Sequence, residues 1–142
     1  MSAQKQMPAD IFFDTNVLIY AIAERDRRTI QAETLLRSGG VISLQGLNEF
    51  VSVARRKIGM SWEEIEEALD AILILCPSPI PVTLEIQQLA MNLAQRYAFN
   101  FYHALVAAAA LMARCTTLYS EDFQDGQIVE GKLTIKNPFA SE

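Results

Sequence analysis

Two hydrophobic periods alternate along the chain. Blocks at 11–13, 41–44 and 116–119 are short, rich in apolar and β-forming residues and bounded by polar ones, the pattern of strands buried on both faces. Between them apolar residues recur at three and four, the spacing that gives a helix one buried stripe. Residues 17–23 predict a short helix that the charged patch 24–28 interrupts, and 28–37 predict a second, with Ile30, Leu35 and Leu36 inward. Gly39 and Gly40 suit its stop, since glycine takes the left-handed conformation at little cost. A third helix is predicted over 46–58 through Leu47, Phe50, Val51 and Ala54. Ser61 and Glu64 have capping-box spacing and open a helix whose Ile65, Ala68, Leu69 and Ile72 share a face.

Pro77, Pro79 and Pro81 forbid helix and predict an extended connection or edge strand. Thr83 is placed to cap a long helix through Ile86, Leu89, Ala90, Leu93, Ala94 and Tyr97. Residues 101–114 are apolar all round and predict a helix in the middle of the molecule. A turn over 121–126 follows the 116–119 strand, and 132–136 alternate like a further strand. Short buried strands alternating with helices predict an α/β fold, a three-layer α/β/α sandwich around a mostly parallel central sheet. With 142 residues and neither internal repeat nor linker, residues 1–142 are expected to form one domain. The longest apolar run, 104–113, is half the roughly 20 residues a bilayer requires. Residues 1–10 contain no apolar segment of a secretory signal, and Cys76 and Cys115 form no C-x-x-C pair. A cytoplasmic chain without membrane contact is expected.

Twelve basic residues stand against 17 acidic ones, a net charge of −5. Binding nucleic acid by bulk positive charge is thereby excluded, so any such activity needs a local source of positive field. Ligands of open α/β sheets bind beyond the carboxyl ends of the strands. Asp14 follows the first predicted strand, Asp122 follows the 116–119 strand, and Glu49 lies on the helix after 41–44. Taken singly, each acid reads more readily as a turn former or helix cap than as a ligand, Asp14 with Thr15-Asn16 especially. Taken together on one rim they would repel, unless a hard divalent cation, Mg²⁺ or Mn²⁺, neutralised them. Such an ion would also supply the missing positive field.

The segment from Phe13 through Asp14-Thr15-Asn16 to Tyr20, the pair Asn48-Glu49, and Leu118-Tyr119-Ser120-Glu121-Asp122 together resemble the PIN-domain family. Their order and spacing, with 102–110 before the last acid and Asn137-Pro138-Phe139 near the end, resemble most the VapC-type toxin ribonucleases of bacterial toxin–antitoxin pairs. The resemblance implies a metal-dependent endoribonuclease acting on RNA, with Asp14, Glu49 and Asp122 at positions that hold Mg²⁺ or Mn²⁺. It implies that Thr15 or Asn16, and Ser120, orient those ligands. It further implies a homodimer and a cognate antitoxin whose tail enters the acidic groove.

One position departs from the pattern. Where the family has Tyr-Asp-Ala this chain has Tyr102-His103-Ala104, placing its only histidine on a metal-ligand position. The exchange removes a negative charge and substitutes a borderline ligand for a hard one. Three readings of His103 stay open: a neutral imidazole ligating Mn²⁺, Ni²⁺ or Zn²⁺, a weakened metal site, or metal contacts rearranged around the remaining acids. The alternative to an active enzyme is a catalytically impaired PIN-fold module that captures an antitoxin. A phosphotransfer enzyme with Asp14 as nucleophile is disfavoured, because Asn16 stands where such enzymes carry a second aspartate. Arg25, Arg27 and Arg28, and separately Arg55, Arg56 and Lys57, read as solvated faces or as a track for an RNA backbone. Asp125 reads as a turn residue.

Overall fold

Strand β1 (Ile11–Phe13) carries consecutive phenylalanines, and the pleat sends Phe12 and Phe13 to opposite faces of the sheet. In the computed structural model, which describes residues 10–140, both rings are buried, and each seeds a separate core. The reading of residues 1–10 therefore lies, apart from Asp10, outside the described residues.

Phe13 packs with residues of four helices: α1 (Thr15–Leu18), α2 (Thr29–Arg37), α3 (Leu44–Val53) and α4 (Trp62–Leu75). Phe12 packs with α5 (Leu84–Tyr97) and α6 (Phe101–Met112). The remaining strands are β2 (Thr117–Tyr119), β3 (Ile128–Val129) and β4 (Leu133–Lys136), in the order β1-β2-β4-β3. β1, β2 and β4 run parallel, and β3 pairs antiparallel with β4. Phe12 lies opposite Leu118 and Phe13 opposite Tyr119, so each cross-strand pair belongs to one core. This is the expected three-layer α/β/α sandwich around a mostly parallel sheet.

Several local expectations need correction. Residues 41–44 form no ladder strand: Val41 bridges Phe12 and Ser43 bridges Ile80, but α3 already begins at Leu44. The cause is Ser43, whose hydroxyl accepts the Gly46 N–H at 2.8 Å and caps the helix two residues earlier than expected. The first helix likewise starts at Thr15 because Asp14 caps it, and it widens into a π-helical segment, Ile19–Ala23. A second π-helical segment, Ala54–Ile58, ends α3. Ile30 points to solvent, 75% exposed, while Ala32 and Leu36 form the inner face of α2. Helix α6 buries Ala104 and residues 106–110 but leaves Phe101, Tyr102 and Met112 exposed, so it is central without being apolar all round. Strand β3 is too short to leave a period in the sequence.

The capping box at Ser61 and Glu64 forms, and Thr83 accepts the Ile86 N–H to cap α5. Cys76 and Cys115 are buried in opposite cores, and burial pushes the Cys76 thiol up to about 11. Among the described residues no helix is long and apolar enough to cross a membrane. Because β1 and β2 are parallel neighbours, their carboxyl ends share one edge, where the Asp14 N–H donates to the Tyr119 carbonyl at 3.0 Å.

Candidate active site

Asp14 leaves β1 in an extended conformation, φ −76° and ψ 164°, which turns its side chain back over the first turn of α1. One carboxylate oxygen accepts the Thr15 N–H at 2.7 Å and the other accepts the Ser120 hydroxyl at 2.7 Å. The group is 5% exposed. Its pKa is raised to about 6, chiefly by burial. The hydrogen bonds from Ser120 and Thr15 pull it down, and the nearby charges of Asp122 and Glu49 push it further up.

Ser120, completely buried just past β2, ties this edge together. While donating to Asp14, its oxygen accepts the Asp122 N–H at 3.0 Å and the Asn16 side-chain amide at 3.3 Å. Asn16 also donates to Asp122 Oδ2 at 3.2 Å. Asp122 is thus oriented by the residues that surround Asp14, although its own side chain is 45% exposed.

Glu49 reaches the same place from α3. The Thr15 hydroxyl donates to Glu49 Oε1 at 3.0 Å and lies 3.4 Å from the Gly46 carbonyl oxygen. A Cβ at residue 46 would stand 3.1 Å from Thr15 Oγ1, so glycine there keeps α1 and α3 in register. His103, in the first turn of α6, places Nε2 3.9 Å from Asp122 Oδ2, with its ring 5.4 Å from that of Phe123.

Asp14, Glu49, His103 and Asp122 line one pocket of about 360 Å³. Thr15 and Asn16 also line it, as do Ile19, Ser52, Val53, Tyr102 and Val106. Among the described residues, however, no three carboxylate, imidazole or thiol side chains meet closely enough to cage an ion. The donor set is nevertheless suited to a small hard cation. Mg²⁺ binds through one or two carboxylates and keeps several waters, and a carboxylate driven toward protonation by burial, with two neighbouring acids adding to it, is one that a cation would stabilise.

Asp125 stands apart, its carboxylate accepting the Asn137 N–H at 2.8 Å. Two residues of the first basic cluster, Arg25 and Arg28, are engaged locally. Arg25 pairs with Glu33 at 3.1 Å, and Arg28 pairs with Asp26 while lying 3.8 Å over the Tyr20 ring. Arg28 also donates to the Tyr20 hydroxyl, which donates to Glu121 Oε2, both at 2.7 Å. Burial, and then Glu121, push the Tyr20 hydroxyl well above the ordinary tyrosine range. This chain of bonds fastens the residue next to Asp122, and sequence patterning gave no sign of it beyond the adjacency of Glu121 and Asp122.

A family model of the PIN domain matches residues 11–124. Among curated proteins no sequence matches this chain. Among solved structures, a toxin–antitoxin complex from Klebsiella pneumoniae is similar with a TM-score of 0.68 and 24% identity, over 91% of this chain and 98% of that one. VapC20 of Mycobacterium tuberculosis, a sarcin-ricin loop cleaving toxin, is similar with a TM-score of 0.65 and 19% identity, over 79% of this chain and 89% of that one. VapBC2 of Rickettsia felis, bound to a DNA fragment from its promoter, gives 0.58 and 20%, over 79% and 87%. At these identities the likeness is one of fold. The family match spans the edge that carries Asp14, Glu49, His103 and Asp122, and by it the chain belongs to the PIN domain family.

Proposed function

We propose that this chain is a metal-dependent endoribonuclease, the toxin of a toxin–antitoxin pair, acting as a single domain over residues 1–142 in a cytoplasmic homodimer. The observation that carries the reading is the bonding between its acids. Asp14 is joined through Ser120 and Asn16 to Asp122, and through Thr15 to Glu49, so carboxylates distant in sequence share one pocket. A bound Mg²⁺ or Mn²⁺ supplies charge for a phosphate oxygen and a more acidic water.

In this reading Asp14 and Asp122 hold the ion, with Glu49 as a further ligand or the group that positions the attacking water. The Thr15 hydroxyl donates to Oε1 of Glu49 and holds that carboxylate at the pocket for either role. His103 stands beside Asp122, with Nε2 3.9 Å from Oδ2, at the position where the family carries an aspartate. Support for an antitoxin partner comes from the similar structures, two of which are a toxin–antitoxin complex and a VapBC assembly.

The test is incubation of purified protein with a structured RNA such as tRNA in Mn²⁺ or Mg²⁺, then in EDTA. Cleavage that EDTA abolishes is expected. A second reading, an impaired PIN-fold module that captures the antitoxin, is favoured by His103 standing beside Asp122 in place of a family aspartate. Cleavage gained only in His103→Asp would mark a disabled enzyme, and absence of a stable complex on titrating the antitoxin would count against capture. An absence of cleavage in both proteins would remove the nuclease.

A further inference from the structure

The candidate pocket has an exit over α3, and the residues along it change sign. Ser52 and Val53 line the acidic pocket and also a neighbouring open groove of about 450 Å³. The other two residues of that groove are Arg56 and Lys57, on the π-helical segment that continues α3 beyond Glu49. Both are exposed. Arg56 donates only to Ser52 Oγ, at 3.4 Å, and neither cation has an acidic partner within ion-pair distance among the described residues. Arg55 is oriented differently, donating to the Met60 carbonyl at 3.0 Å and lying 4.9 Å from the centre of the Trp62 ring.

An adjacent pair of uncompensated cations is notable in a chain of net charge −5. The other pocket walls, Ile19, Tyr102 and Val106, offer no positive charge. We infer that Arg56 and Lys57 form a phosphate-binding subsite for the RNA backbone flanking the bond to be cut. The inference rests on the nuclease reading of the adjoining pocket. A nucleic-acid strand does not end at its scissile phosphate, and the groove that shares Ser52 and Val53 with the pocket presents two cations to the phosphates that follow. Ser52 lies between acids and cations and offers a hydroxyl to the backbone in passing. An acidic peptide would satisfy Arg56 and Lys57 equally, but nothing would carry it on across Asp14, Glu49 and Asp122.

The test measures binding of a fluorescent single-stranded RNA oligonucleotide to the full chain by anisotropy in EDTA, across a series of salt concentrations. The double variant Arg56→Gln, Lys57→Gln should lose roughly tenfold in affinity at about 0.1 M salt, and its log–log salt slope should flatten by about 1.4, two phosphates at about 0.7 each. Arg55→Gln, with the same charge loss one residue away, should leave the slope unchanged, and circular dichroism checks that each variant is folded. An unaltered slope in the double variant overturns the subsite. So does an oligoglutamate peptide whose binding falls in that variant while RNA binding persists. Because cleavage is not the readout, failure of the wild type to cut RNA in Mn²⁺ would count against the nuclease and leave the slope to decide the subsite. Where cleavage is seen, the double variant should raise KM for a long RNA and leave kcat within about twofold.

Discussion

The Ser120 hydroxyl donates to Asp14 at 2.7 Å across 106 residues of sequence, and the same oxygen accepts the Asp122 N–H. Ser120→Ala removes a donor that holds the Asp14 pKa down and leaves two N–H groups without their acceptor. We expect a loss of about 1–3 kcal/mol in unfolding free energy. The acid limb of the cleavage rate should move to higher pH, because Asp14 then stays protonated further up the scale. Urea unfolding and a pH–rate profile check the two halves separately.

Asp14 also makes the metal-free fold pH-dependent in a particular direction. Its folded pKa, about 6, lies above the ordinary value of 3.8, so between these values the folded state binds the extra proton. Stability from this group is therefore complete below about pH 4 and declines as pH rises through 6. The unfolding free energy of wild type minus that of Asp14→Asn should fall by about 3 kcal/mol across the window and be flat on either side. A difference that rises with pH would contradict the burial argument.

Mn²⁺ should reverse that cost. At about 100 times its dissociation constant the ion should stabilise the wild type by about 2.7 kcal/mol at neutral pH and should leave Asp14→Asn little changed. Thermal unfolding with and without EDTA measures this. His103→Asp should bind Mn²⁺ more tightly than wild type, as a titration would show.

Gly46→Ala places a methyl group 3.1 Å from Thr15 Oγ1 and 3.3 Å from Ser43 Oγ. We expect about 1–3 kcal/mol of destabilisation and a fall in kcat, because the displaced Thr15 releases Glu49. Retention of full kcat would show that Thr15 does not position Glu49.

Tyr20→Phe deletes the hydroxyl that links Arg28 to Glu121, leaving those two charges 3.6 Å apart. A loss of about 1 kcal/mol is expected, read as a lower denaturant midpoint with unchanged slope.

The sequence carries the sandwich clearly where period and chemistry agree. Phe12-Phe13, the Ser61–Glu64 box and the Thr83 cap each announce an element, and Asp14 stands out as an acid directly after an apolar strand. Boundaries are less visible, because one hydrogen bond moves them: Ser43 capping Gly46 turns a strand-like tetrad into the start of α3. Ile30 is misleading for a similar reason, since the turn of α2 is set by small Ala32 and by Leu36. The Tyr20–Arg28–Glu121 linkage is invisible in one dimension, because its members come together only when the loop after β2 folds against the segment after β1.

The parallel pairing of β1 with β2 has a consequence for synthesis. Asp14 leaves the ribosome more than a hundred residues before Ser120 and Asp122, and the Ser120 N–H is then held by the Lys136 carbonyl of a strand made later still. No nascent fragment that stops short of β4 contains the assembled centre. The acids of the pocket therefore meet only after synthesis has passed β4, long after Asp14 itself has emerged.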